Sequence, residues 1–327
     1  MSNLETAPAE LTCTNTEDQA GRARLLRPRE VPLGGPRAMT VRRTLPQRQR
    51  SLIGAWCFVD HYGPDDVATT GGMRVPGHPH TGLQTVSWLF DGEVEHRDTL
   101  GTHALVRPGE LNLMTAGSGI AHSEHSTADT RVLRGAQLWV ALPERHRLTD
   151  PAFDSYAPPP LERDGTRVSV FLGSLLGRSS PVSTYTPLLG AEITLRPGRE
   201  LTLEVDPTFE HGVLVDTGAV TVAGVRARAG ELVCRDTGPD RLTLEAAPGE
   251  PARMLLLGGS PLGERIVMWW NFVGGDHEEI AAHRRRWQYE REHPGTGQAR
   301  QYGRFPAQWT ETLPAPELPH VRLKPRE

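Results

Sequence analysis

Residues 77–101 read GHPHTGLQTVSWLFDGEVEHRDTLG. Within them, Thr85 to Phe90 is short, rich in β-branched and aromatic residues, and closed by the Asp91-Gly92 turn signal, which is the pattern of a strand. The pattern returns at Leu111–Met114, Leu138–Leu142, Val168–Leu172, Leu201–Val205 and Met254–Leu257, punctuated by Pro108-Gly109, Pro197-Gly198 and Ala229-Gly230. Strands at this spacing across residues 40 to 260 make the class all-β, a sandwich or small barrel.

The opening of the same stretch, GHPHTG, carries chemistry. Residues two apart on a strand face the same side, so His78 and His80 can aim both imidazoles at one point. Pro79 between them cannot donate to a sheet ladder and belongs at an edge or a bulge. Downstream, AGSGIAHSEHS sets His122 and Glu124 two apart again. If the two strands are neighbours, three neutral imidazoles and one carboxylate converge, a set suited to a divalent first-row transition metal with two positions left for water or substrate. Histidine is frequent between residues 61 and 125, where His96, His103 and His125 also fall. On spacing alone, turn or surface roles for any of these residues stay open.

Composition narrows the setting. A chain of 327 residues is long enough for about two domains that need no disulfide or metal staple. Cys13, Cys57 and Cys234 are odd in number and far apart, which points to a reducing compartment and a cytoplasmic protein. Residues 1–20 have acids where a secretory leader needs positive charge and are expected to be disordered. No run approaches the roughly 18 apolar residues that span a bilayer. The net charge of -4 gives no general attraction to nucleic acid. Residues 22–50 do carry nine Arg against Glu30 alone, but Lys324 is the only lysine of the chain, so arginine is its default cation and the run reads as a solvated face.

Residues 150–165, DPAFDSYAPPPLERDG, are Pro-rich and polar, as in a linker. Beyond them Gly109-Glu110-Leu111 recurs as Gly230-Glu231-Leu232, and the strand ending at Gly92 has a counterpart ending at Gly218, which suggests a duplicated β-domain. Aligning Gly218 on Gly92 without gaps puts Glu204 and Asp206 where His78 and His80 stand, Glu210 where Gln84 stands, and His211 opposite Thr85. The second half is therefore expected to lack a metal, with His211 turned to the other side of its strand. Near the end, Asp276 followed by Glu279 caps a helix that runs towards Glu292 and stops before Pro294, after which a Pro-rich tail is expected to lie extended on the surface.

The strings GHPHTGLQTVSWLFDGEVEHRDTLG, RPGELNLMTAGSGIAHSEHS and LWVALP resemble the N-terminal half of the pirin family, a branch of the cupin superfamily. WCFVDHYGP at residues 56–64 and LLLGGSPLGERIVMWWNFVGGDHEEI at residues 255–280 extend the resemblance over roughly residues 37 to 290. It implies a bicupin, two double-stranded β-helix (jelly-roll) barrels with a short C-terminal helix. The domains are then residues 21–150 for the metal-binding barrel, 151–165 for the linker, 166–262 for a barrel without metal, and 263–327 for the helix and tail. It also implies one divalent metal per chain, held by His78, His80, His122 and Glu124; Fe(II) is the first choice, with Mn, Co, Ni, Cu or Zn as the other ions. Gln84 departs from the family, which commonly has Glu there. That acid is not a ligand, so the change is expected to alter a hydrogen bond near the site without emptying it.

For function, the resemblance implies a quercetin 2,3-dioxygenase-like oxidoreductase that cleaves flavonols or another enediol, with Glu124 as catalytic base taking the enol proton. The alternative is a redox-sensing module that regulates a partner enzyme or transcription factor. A cupin isomerase acting on sugars fits the ligands but not the T-A-G-x-G-x-x-H-S-E string. No direct nucleic-acid or membrane contact is expected, and the chain is expected to be a monomer.

Overall fold

The computed structural model describes residues 21–33, 39–294, 300–306, 308–309 and 311–325. Two seven-stranded antiparallel sheets lie back to back. The first runs in the order Ala152–Tyr156, Leu111–Thr115, Leu83–Asp91, Val132–Ala141, Trp56–Asp66, Met39–Leu45, Arg29–Leu33. The second runs Ala23–Leu26, Leu232–Arg235, Glu210–Thr217, Ala252–Gly259, Leu188–Leu195, Thr166–Leu172, Leu161–Arg163. A four-stranded sheet closes each into a barrel. Arg74–His80, Ile120–Ser126, Val94–Asp98 and His103–Val106 close the first, and Glu200–Glu204, Arg241–Ala246, Ala219–Val222 and Val225–Arg228 the second. The fold is the expected bicupin.

Alternation along single strands decides which side is which. On Leu83–Asp91 the even positions Val86, Trp88 and Phe90 enter a core shared with Phe171, Leu214, Leu232, Leu255 and Leu257 of the second barrel. The odd positions Leu83 and Leu89 line the inside of the first barrel. Trp88 stacks on Phe171 with ring centroids 4.5 Å apart and donates its indole N–H to Glu192 Oε2 at 2.7 Å. Burying an aliphatic or aromatic side chain of this kind contributes about 1.5–3 kcal/mol, so the interface between the barrels is a core in its own right.

At one edge of that core sits a buried polar hub. Asp216 of the second barrel accepts at Oδ1 from Arg134 Nε at 2.7 Å and from His61 Nε2 at 2.7 Å, and at Oδ2 from Arg253 Nε at 2.6 Å. Arg42 donates to His61 Nδ1 at 2.9 Å, which leaves the imidazole proton on Nε2, facing the carboxylate. Burial and then Arg42 hold the His61 pKa below the ordinary value. Burial would raise Asp216, but its bond to His61 and the two guanidinium groups outweigh it and hold the carboxyl low. His61 and Arg134 belong to the first barrel, so this carboxylate ties the barrels together.

Several expectations are corrected here. The arginines of residues 22–50 are not all solvated: Arg43 and Arg50 are buried, Arg43 against Asp60 at 2.7 and 2.8 Å and Arg50 against Asp236 at 2.6 Å. Residues 152–156 of the expected linker form an edge strand of the first barrel, paired with Leu111–Thr115. Residues 23–26, expected in the first barrel, pair instead with Leu232–Arg235 of the second. The first twenty residues lie outside those described. The helix His277–Glu292 starts as read, with Asp276 Oδ1 accepting from Glu279 N at 2.8 Å, although Glu279 reaches back to Gly275 N rather than to the cap residue.

The tail is not merely extended on the surface. Thr312 bridges Gly77, and Tyr302, Ala315 and Leu323 are buried in a cluster with Trp269, Trp287 and Phe272. This answers why glycines bracket the two histidines. A Cβ on Gly77 would come within 2.5 Å of the Phe305 ring. One on Gly82, whose φ is +71°, would meet the Val273 carbonyl oxygen at 2.2 Å.

Candidate metal centre

Strand Ile120–Ser126 is the middle of three that build the site. On one side it pairs with the edge strand Arg74–His80, His122 opposite His78 and Ile120 opposite His80, with a register shift between His122 and Glu124. Pro79 therefore sits on an edge strand beside a bulge, where a residue without an N–H costs little. On the other side the strand pairs with Val94–Asp98, setting Glu124 opposite His96 and His122 opposite Asp98. Alternation then turns all six polar side chains into the barrel, and all are buried.

The three sequence-predicted imidazoles converge, with His78, His80 and His122 offering nitrogens within 4.8 Å of one another. His80 Nε2 and His122 Nε2 face each other at 3.1 Å. Nitrogens bound side by side to one first-row ion at about 2.1 Å lie about 3.0 Å apart at right angles and about 3.4 Å apart in a tetrahedron, so this separation is that of two ligands. His78 donates its Nδ1 proton to the Pro76 carbonyl at 2.8 Å, and its Nε2 has no hydrogen-bond partner among the described residues. A buried nitrogen lone pair left unpaired is costly unless something fills the place it faces. The donor set thus fits a divalent metal ion.

Glu124 falls in a second group, with His96 and His122, whose ligand atoms also lie within 4.8 Å of one another. His122 is common to both groups. In the sequence His96 reads as one of several histidines in a histidine-rich region, although His96 and Asp98 show the same two-residue alternation as the other pairs. Ser87 Oγ lies 3.2 Å from Glu124 Oε1 and 2.9 Å from Gln137 Oε1. One hydroxyl proton cannot serve both. With the Gln137 amide turned so that its –NH2 donates to Ser87, the Ser87 proton goes to the carboxylate and no two acceptors face each other.

Gln84 is not near this site. It lies on the even face of its strand, towards the second barrel, and donates Nε2–H to Thr115 Oγ1 at 2.9 Å. The expected effect on a hydrogen bond at the metal centre is corrected accordingly. His211 is likewise the reverse of its expectation, because it shares the odd face of Glu210–Thr217 with Val213 and Val215 and points into the second barrel.

Burial pushes the His78 pKa down to about 4, against the upward pull of the Pro76 carbonyl. Burial, and then the neighbouring His78, push His80 and His122 well below the ordinary value. Near neutral pH all three are in the form that binds metal. In metal-free protein a folded pKa of about 4 against 6.5 means that the unfolded chain takes up protons first. Stability is therefore full above about pH 6.5 and falls as pH drops towards 4, by about 3 kcal/mol for His78 alone. Denaturant melts of chelator-treated protein across that range check this, and His78→Gln should lack that part of the fall.

Two fused jelly-roll barrels, one carrying inward-facing histidines on adjacent strands, define a bicupin with a candidate metal centre. The chain belongs to the pirin family. The Pirin family model matches residues 38–140, and the model described as the Pirin C-terminal cupin domain matches residues 190–292. The chain is 44% identical over 89% of its length to a Pseudomonas aeruginosa protein provisionally named quercetin 2,3-dioxygenase, covering 89% of that protein. Among solved structures it resembles a quercetin 2,3-dioxygenase from Acinetobacter baumannii, with a TM-score of 0.84 and 35% identity, covering 92% of this chain and 98% of that one. It shares the fold of the Escherichia coli pirin YhhW in complex with nickel(II), with a TM-score of 0.59 and 19% identity, covering 73% of this chain and all of the other. No helix among the described residues is long and apolar enough to cross a membrane.

Proposed function

We propose that this chain is a metal-dependent dioxygenase that opens the ring of quercetin-like flavonols or a related enediol, with His78, His80, His122 and Glu124 holding the ion. The observation that carries the reading is the pair of buried imidazole nitrogens 3.1 Å apart with His78 Nε2, which has no partner among the described residues, beside them. The likeness to proteins named as quercetin 2,3-dioxygenases supplies the substrate class. A bound divalent ion would act as a Lewis acid on the adjacent keto and hydroxyl oxygens of the substrate, lowering the cost of forming the enolate. Fe(II) remains the ion proposed first.

The residues do the rest. Trp139 meets the His80 ring edge-on at 5.2 Å and stacks on Phe58 at 4.0 Å, and Phe58 lies under Arg43, so His80 has a rigid backing. Complete burial of the four side chains keeps bulk water from competing for the substrate's oxygens. Glu124, oriented by the Ser87 hydroxyl, takes the proton of the substrate hydroxyl.

The test is oxygen consumption with quercetin by protein loaded in turn with iron, manganese, cobalt, nickel or copper. Glu124→Gln keeps the shape of the side chain but cannot take a proton, so it should lower kcat by about 10²–10⁴ while quercetin still perturbs the metal's spectrum. Equal loss of binding and turnover would make Glu124 a ligand only. Absence of turnover of any flavonol or enediol with every ion would overturn the enzymatic reading.

A further inference from the structure

His96 and Asp98 have no part in the proposed reaction, yet both are buried and aligned on the metal side of the barrel. Asp98 Oδ1 accepts from the backbone N–H groups of Leu100 at 2.9 Å and Thr102 at 3.0 Å, which leaves Oδ2 for His96 Nε2 at 3.1 Å. The His96 ring packs on Phe153 at 4.7 Å, and Phe153 belongs to the strand Ala152–Tyr156. His96 Nδ1 then meets His122 Nδ1 at 3.3 Å.

The direction of these bonds follows from what each group can do. A carboxylate only accepts, so His96 carries its proton on Nε2 and donates it to Asp98. A neutral imidazole with its proton on Nε2 has an acceptor at Nδ1, so His122 must supply the proton of the Nδ1 to Nδ1 contact. With its proton on Nδ1, His122 presents a lone pair at Nε2, the nitrogen that faces His80. We infer that Asp98 and His96 form an outer pair that fixes the tautomer and ring orientation of His122, making Nε2 its metal-binding atom. They are positioning residues. The inference rests on the metal-centre reading above and adds the device that selects one nitrogen of His122.

The chain of bonds can be reversed with one amide. In Asp98→Asn the carbonyl oxygen can keep the Leu100 and Thr102 bonds while the –NH2 faces His96. That group donates to Nε2, so the His96 proton moves to Nδ1, and His122 Nδ1 becomes an acceptor with its own proton pushed to Nε2. Outer partners of this type are worth about 10–100-fold in metal affinity. Cobalt(II) binding by the full-length protein, measured by chelator competition, should therefore weaken about 10–100-fold in Asp98→Asn and in His96→Leu. In His96→Asn, whose side-chain oxygen can accept from His122 Nδ1, affinity should recover in part.

Nitrogen chemical shifts of isotope-labelled histidine in the metal-free protein report the tautomer without any metal. His122 should carry its proton on Nδ1 in the parent and on Nε2 in Asp98→Asn. Parental cobalt affinity in Asp98→Asn, or an Nε2 proton on His122 in the metal-free parent, would overturn the inference. So would two cobalt ions per chain, which would make His96 a ligand. A parent that binds no cobalt but shows the expected tautomers would sink the metal-centre reading and leave the tautomer assignment standing.

Discussion

Replacing His122 by alanine is expected to strip the protein of its metal without unfolding it. His122 is the one residue shared by the two groups of candidate ligands, and its two nitrogens face His80 on one side and His96 on the other. Its loss removes a ligand and also disconnects the outer pair, so the effect should exceed the roughly 10–100-fold attached to an outer partner alone. The apolar clusters that flank the site, with Tyr62, Val75 and Leu89 on one side and Phe58, Leu83 and Trp139 on the other, do not include His122. Elemental analysis of protein purified without chelator, with a thermal melt alongside, checks both halves. Full metal occupancy in this variant would remove His122 from the ligand set.

The second large effect lies far from the metal. Asp216→Ala leaves the Arg253 guanidinium and the His61 N–H without this acceptor and Arg134 with only the backbone carbonyl of residue 216, and breaking a buried charge cluster from one side costs about 3–5 kcal/mol. Because His61 and Arg134 come from the first barrel, the loss should also uncouple the barrels. The sequence offers a clean readout, since no tryptophan lies between residues 140 and 268. Tryptophan fluorescence follows the first barrel and the C-terminal segment, whereas circular dichroism follows both barrels. In the parent the two denaturant transitions should coincide, and in Asp216→Ala they should separate. Coincident and unshifted transitions in the variant would show that the hub does not hold the barrels together.

The ligand candidates were legible because a strand writes its facing residues two apart, and both His78/His80 and His122/Glu124 obey that period. His96 and Asp98 obey it too. What hid them was histidine's frequency in the region, since nothing local says which of several strands will lie beside Ile120–Ser126. The misreading of Gln84 and His211 has a related cause. Phase along a strand was correct, but which phase faces the barrel and which the partner barrel is set by the second sheet, not by the strand itself. Residues 23–26 and 152–156 join strands whose register depends on partners many residues away, and the prolines on either side of Ala152–Tyr156, at 151 and 158–160, give the short edge strand between them the look of a linker. The arginines that are buried look like solvent-facing charge in the sequence because their acceptors are distant in the chain, Asp60 on another strand and Asp236 just beyond the strand Leu232–Arg235.

The strand Ala23–Leu26 and the residues around Thr312 also govern the order in which the protein can be finished at the ribosome. Ala23–Leu26 leaves the exit tunnel early, but its partner Leu232–Arg235 must be made before it can pair. The edge strand that carries His78 and His80 is complete long before Glu311 and Leu313 arrive to hydrogen-bond on either side of Gly77. At about 5–20 residues per second the gap between the last strand of the first barrel, ending at Tyr156, and that final contact at Leu313 is on the order of 8–30 s. Throughout that interval the first barrel presents its histidine edge uncovered, and until Leu232–Arg235 is made the first segment of the second barrel waits unpaired.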